Sequence, residues 1–231
     1  MAVGLSLVTR ELIYQPLYED QDILVIEKKK AFLSQRSDEG AQESLAEFIS
    51  RVQGAQFFPV HRLDREVLGV MIFAKSAPIA EELSSQFRNR VVKKRYWAWV
   101  KGSVAPGRQH LVHYLKKNFK TNRTTVFPRP TPGAKRAELF YWKIGEKDQF
   151  SLVEVELKTG RSHQIRAQLA KVGHPILGDL RYGKPEAEAL MPDSGAEKLG
   201  IQLRSKLLGL MHPVRKEWVE WEISIPQDEF F

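Results

Sequence analysis

Residues Pro59 to Lys75 join a charged half to an apolar one. Gly69-Val70-Met71-Ile72-Phe73-Ala74 is a continuous apolar run with the length and β-branched or aromatic content of a strand buried on both faces. Such a run commits the chain to a sheet that is covered above and below. His61-Arg62-Leu63-Asp64-Arg65-Glu66 leads into it, so Asp64 lies between two arginines at the entrance of a buried strand. Fixed positive charge there would keep the carboxylate ionised and in place, an arrangement that suits a nucleophile. The plainer role is a turn aspartate paired with Arg62 or Arg65.

The neighbouring segments supply partners for that strand. Tyr14 to Lys30 reads as a polar turn and a short apolar strand, and Leu45, Phe48, Ile49 and Val52 fall at helical spacing, a helix expected to pack beside the buried strand. Ser76 is a candidate N-cap and Pro78 suits a first turn, with Ile79, Leu83 and Phe87 as the apolar stripe of a second helix. Lys93 to Val100 alternates, with Tyr96, Ala98 and Val100 on one strand face and Arg95, Trp97 and Trp99 on the other. Ala137 to Ile144 and Phe150 to Leu157 form a strand pair with Gly145 in the turn. Ile165, Leu169 and Val172 form a third helical stripe, with Ser162 placed to cap it and Gly173 to end it. Near the end of the chain Val219, Trp221, Ile223 and Ile225 alternate with other residues, as the inward face of a strand would. Lys184 to Gly200 reads as a surface loop. Short strands at hairpin spacing with three helices imply an α+β fold, a mixed but largely antiparallel sheet with flanking helices and a cleft across its middle.

Charge is distributed unevenly. Between Arg88 and Arg136 there are fourteen lysines and arginines and no acid, leaving twenty-two bases against twenty-eight acids elsewhere. A polyanion is the natural partner of such a segment, and its interleaved Tyr96, Trp97, Trp99, Tyr114, Phe119 and Phe127 offer rings for unpaired bases. Arg108 to Pro132 within it reads as a hairpin or loop that reaches over such a polyanion, with a solvated loop as the competing reading.

The chain has no cysteine, which excludes disulfides, thiol nucleophiles and cysteine-rich zinc sites. His110 and His113 are three apart without a nearby carboxylate or third ligand, so no metal site is expected. At 231 residues with 42% hydrophobic content, one domain spanning residues 1–231 is expected. No apolar segment approaches about 18 residues and no leader pattern opens the chain, so no membrane association and a cytoplasmic location are expected.

His61-Arg62-Leu63-Asp64, with Gly69 and an apolar strand ending in Phe73-Ala74-Lys75, resembles the active-site signature of the RluA-type pseudouridine synthases. Lys94-Arg95-Tyr96-Trp97-Ala98 resembles that family's second motif, and Gly160-Arg161-Ser162-His163-Gln164-Ile165-Arg166 through Gly183 its third. The resemblance covers about residues 14 to 226. It implies conversion of uridine within ribosomal or transfer RNA to pseudouridine, the N-glycosidic bond being broken and re-formed to carbon five of the same uracil. Asp64 would be the catalytic aspartate, Arg166 its ion-pair partner and Tyr96 the ring that stacks on the target base. Arg62, Arg65, Lys94, Arg161, His163 and Gln164 would contact substrate. The implied enzyme uses no cofactor and no metal and is a monomer. Many relatives place a small RNA-binding module before the first strand, where only about seventeen residues stand here, so none is expected. The family usually carries a Thr-Ser or similar pair where this chain has Val67-Leu68.

Two other classes compete. A non-catalytic RNA-binding protein on the same scaffold is motivated by Val67-Leu68 beside Asp64. A glycoside-type hydrolase would need a second carboxylate, and no second acid stands out in the three motif stretches.

Overall fold

The structure, a computed structural model, describes residues 12–34, 43–183 and 200–224. Among the described residues the chain forms eleven strands and three helices and divides into two compact units, Met1–Lys93 with Ser205–Phe231, and Lys94–Arg204.

The first unit is built around β4 (Leu68–Ala74), whose residues from Gly69 onward are all buried. It pairs antiparallel with β2 (Ile23–Lys28), itself buried along its whole length, and β2 pairs antiparallel with β1 (Tyr14–Glu19). On its other side lies β10 (Leu203–Met211), which pairs antiparallel with β11 (Trp218–Glu222). The two-residue β3 (Phe58–Pro59) adds to the end of β4. Gly69 is required at the start of β4: its φ is +107°, and a Cβ there would stand 2.2 Å from the Ser205 carbonyl oxygen.

Helix α1 (Leu45–Gln53) starts in a capping box formed by Ser44 and Glu47 and ends at Gly54 in the left-handed region. Its Phe48 packs edge-on against Tyr14 and at a tilt against Phe32, and α2 (Ala77–Asn89) lies against β4. Gln86 of α2 is buried and exchanges two hydrogen bonds with the Met211 backbone, its amide donating to the carbonyl oxygen and its oxygen accepting from the amide.

Opposite edges of this unit are tied by one carboxylate. Asp20 accepts from the Asp22 and Ile23 amides through one oxygen, and from Tyr18, His212 and Arg215 through the other. Burial opposes the charge, but these donors hold the Asp20 carboxyl well below the usual carboxylate range. His212 is fully buried and its Nδ1 accepts from the Val214 and Arg215 amides, which leaves Nε2 to donate to Asp20.

The second unit is a five-stranded antiparallel sheet in the order β5 (Lys93–Lys101), β9 (Phe150–Leu157), β8 (Lys135–Lys147), β6 (Gln109–Asn118), β7 (Arg123–Phe127). Helix α3 (Gln164–Lys171) packs on the β6–β7 side. The fold class is thus α+β, as expected. Two local expectations change. Gly145 lies inside β8 at a register shift opposite Leu152, and the turn falls at Asp148, because β8 continues past the shift. His163, not Ser162, is the residue before α3; its φ is +53°, and the Ser162 carbonyl is used elsewhere, accepting from Thr124. The expected loop from Lys184 falls outside the described residues as far as 199, and Ile225 does too.

Candidate active site

Asp64 stands in the loop that feeds β4, and that loop is held by backbone contacts on three sides. The Ser34 hydroxyl donates to the Leu63 carbonyl at 2.8 Å and accepts from the Leu63 amide at 3.1 Å. His61 Nε2 accepts from the Ile72 amide at 3.1 Å, and its ring stacks on Phe87 at 4.8 Å. The Val67 amide closes the turn onto the Asp64 carbonyl at 3.1 Å.

A further brace is Lys28, at the end of β2. Its side chain is fully buried, and Nζ donates to the carbonyl oxygens of Asp64, Arg65 and Val67 at 3.1, 2.7 and 2.9 Å. Three carbonyls match the three hydrogens of an ammonium group. Burial nevertheless pushes the Lys28 ammonium down to about 7, against the opposing carboxylates of Asp64 and Glu66. The backbone from Asp64 to Val67 is therefore fixed by one buried lysine, while the Asp64 side chain stays half-buried and Arg62 and Arg65 are exposed. Val67 is buried and Leu68 half-buried, so the residues replacing the expected hydroxyl pair act as packing and leave the Lys28 bonds in place.

In the second unit, Arg166 lies in the first turn of α3 and is buried. Its Nε and one Nη donate to the two oxygens of Asp179 at 2.7 and 2.9 Å, and Asp179 is fully buried. A fork-to-fork pair of this kind fixes the plane of the guanidinium as well as its place. Asp179 also accepts from the Arg181 and Tyr182 amides, and the Tyr182 ring lies 5.4 Å from the Arg166 guanidinium carbon. His163 Nδ1 and the Tyr182 hydroxyl are 2.9 Å apart. Gln164 is buried, accepting from the Thr159 hydroxyl and the Arg161 amide and donating to the Glu138 carbonyl, so its visible role is to brace the turn before α3. Arg161 Nε donates to the Arg136 carbonyl. The Lys94 amine lies over Gly160, where a Cβ would come within 3.5 Å of it. Tyr96 sits on β5 opposite Val155 and is 8% exposed.

The family model described as RNA pseudouridylate synthase matches residues 22–171 of this chain. The chain belongs to that family. It is 32% identical to an uncharacterised RNA pseudouridine synthase of Aquifex aeolicus, over 91% of this chain and 69% of that protein. It is 31% identical to tRNA pseudouridine synthase C of Haemophilus ducreyi, over 85% of each. With ribosomal large subunit pseudouridine synthase C of Vibrio parahaemolyticus it shares 32% identity, over 94% of this chain and 67% of that protein. Human RNA pseudouridylate synthase domain containing 1 has the same fold, with a TM-score of 0.74 at 24% identity, covering 92% of this chain and 84% of that one.

Sequence reasoning on this pseudouridine synthase missed Lys28 and Asp179. Lys28 ends an apolar strand and reads as the solvent-facing start of a basic triplet; its partners lie 36 to 39 residues away. Asp179 was legible only as an acid thirteen residues beyond Arg166 in the same motif stretch.

Asp20, Asp22 and His212 bring ligand-type atoms within 4.8 Å of one another. Both His212 nitrogens are engaged, and Asp20 already faces Arg215 at 2.9 Å, so this group reads as the structural tie described above. Among the described residues no helix is long and apolar enough to cross a membrane.

Proposed function

We propose that this pseudouridine synthase isomerises specific uridines of a ribosomal or transfer RNA, with Asp64 as nucleophile, Arg166 as the cation that aims it and Tyr96 as the ring that stacks on the uracil. The observation that carries the reading is the Asp64 loop itself: the backbone around an acid at the mouth of β4 is locked by a buried lysine while its carboxylate keeps access to solvent. The family match over residues 22–171 spans all three residues, and relatives carry names that refer to transfer RNA and to the large ribosomal subunit.

A stacked base cannot reach a loop aspartate, so the target nucleotide is flipped out, at a cost of a few kcal/mol met by phosphate and stacking contacts. The bond between the sugar carbon and N1 breaks and one between that carbon and carbon five forms. The hydrogen on carbon five leaves as a proton and N1 gains one, so the product is an isomer and no co-substrate is consumed. Arg62, Arg65, Lys94, Arg161 and His163 serve the RNA, and Gln164 holds the turn that presents Arg161 and His163. Residues 1–231 act as one catalytic domain, monomeric and cytoplasmic, requiring no metal or cofactor.

Site-resolved pseudouridine mapping of RNA from cells with and without the gene identifies the target. Asp64→Asn keeps the size of the side chain and removes the nucleophile. Under single-turnover conditions with saturating enzyme it should form no pseudouridine while RNA affinity changes little; appreciable residual turnover would refute the assignment.

A further inference from the structure

In space the acid-free run is less uniformly basic than in sequence. Arg88, Lys93, Arg95, Arg108 and Arg136 are ion-paired with Glu81, Glu220, Glu154, Glu156 and Glu138. Lys116, Lys117, Lys120, Arg123, Arg129 and Lys135 form no ion pair among the described residues, and the first four belong to the β6–β7 hairpin or its turn.

At the tip of that hairpin Phe119 is 84% exposed, the most exposed large apolar side chain among the described residues. The Lys117 amine lies 5.3 Å from its ring centroid. The turn is braced: Asn118 Oδ1 accepts from the Lys120 and Thr121 amides, and Arg181 donates through one Nη to the Thr121 and Asn122 carbonyls at 3.0 and 2.9 Å. The Thr124 amide donates to the Tyr182 hydroxyl at 2.7 Å. Arg181 and Tyr182 are on the same turn as Asp179, which holds Arg166, so one short segment fixes both the hairpin tip and the buried guanidinium. An exposed ring on a braced turn, flanked by four unpaired cations and no carboxylate of its own strand pair, has the composition of a single-stranded nucleic-acid contact.

We propose that Phe119 is a stacking platform for an unpaired base of the RNA substrate, with Lys116, Lys117, Lys120 and Arg123 meeting the phosphates on either side. This deepens the RNA-modifying reading and rests on it. The full chain and its Phe119→Ala, Phe119→Leu and Phe119→Trp variants are titrated with a single-stranded oligoadenylate of about twelve nucleotides, which cannot be isomerised, and with a ribose-phosphate strand of the same length lacking bases. Removing the flat face in the alanine and leucine variants should weaken oligoadenylate binding about tenfold, the tryptophan variant should stay within about twofold, and the base-free strand should bind all four proteins alike. Wild-type affinity in the leucine variant would show that any apolar group suffices, as for a protein or membrane partner, and would overturn the proposal. Equal oligoadenylate affinity in all four, or losses as large on the base-free strand, would overturn it too. Pseudouridine formation by the wild-type protein on total RNA is scored separately: its absence defeats the enzymatic reading, whereas product formation with unchanged binding in the alanine variant defeats only the platform.

Discussion

Replacing Lys28 by Met keeps an unbranched side chain of similar length in the same apolar slot but removes all three hydrogens that hold the Asp64 loop. Hydrogen bonds made by a charged group contribute about 1.5–3 kcal/mol each, so three of them are a large loss. Against this stands the cost of burying the ammonium group, since a fall from 10.5 to about 7 corresponds to about 5 kcal/mol. The two effects nearly offset, and the net destabilisation expected at pH 6.5 is only about 0–4 kcal/mol. Function should suffer more than stability, because the freed carbonyls let the Asp64 backbone drift; a misplacement of about 1 Å costs on the order of a hundredfold in turnover. The pH dependence has a definite sign. Between about 7 and 10.5 the unfolded chain holds a proton on Lys28 that the native state has shed, so the native state gains stability as pH rises through that window. Below 7 both states are protonated and the cost is constant. Urea unfolding of wild type and Lys28→Met at pH 6.5 and 8.5 should show the wild-type advantage widening by up to about 1.4 kcal/mol per pH unit above 7. A gap that stays flat or narrows, or single-turnover rates within about threefold of wild type, would refute this account of the loop.

Asp179→Asn removes the charge that Arg166 grips through Nε and one Nη and should cost about 3–5 kcal/mol in urea unfolding, together with turnover; a loss below about 1 kcal/mol would show that the pair is not needed to hold the guanidinium. Gly69→Ala forces a side chain against the β10 backbone at a positive φ, and a melting temperature within a few degrees of wild type would contradict the close approach seen there. Tyr96→Phe keeps the ring and should retain most binding of an RNA carrying a non-reacting uridine analogue, whereas Tyr96→Leu should weaken it by about 1–3 kcal/mol; equal affinities would return Tyr96 to a purely packing role.

What could be read from the sequence was local. The buried strand β4 and the acid at its mouth follow from one apolar run and its charged leader, and α2 from a proline-bearing first turn and a regular stripe. The start of α3 was misread because a left-handed histidine is not a preferred cap, and its conformation goes with a ring bonded to Tyr182, nineteen residues on. The acid-free run suggested an open basic face, yet Glu154 and Glu156 of β9 and Glu138 of β8 neutralise Arg95, Arg108 and Arg136. Lys28 was illegible for a related reason: alternation cannot assign a face in a strand buried on both sides, and its acceptors are main-chain atoms with no residue signature.

The first unit is discontinuous, with residues 94–204 inserted between its two parts. During synthesis the chain emerges in order, at a rate of about 5–20 residues per second. Strand β4 is then complete long before β10, the neighbour whose Ser205 backbone fits against Gly69. The Asp20 carboxylate likewise waits for His212 and Arg215. The five strands β5 to β9 of the inserted unit are continuous in sequence and have all been made by the time α3 leaves the ribosome. A nascent chain therefore carries an apolar strand with most of one edge uncovered for the whole time the inserted unit takes to appear, only its end being covered by β3, and that interval is when the protein is most open to pairing with the wrong edge or to capture by a chaperone.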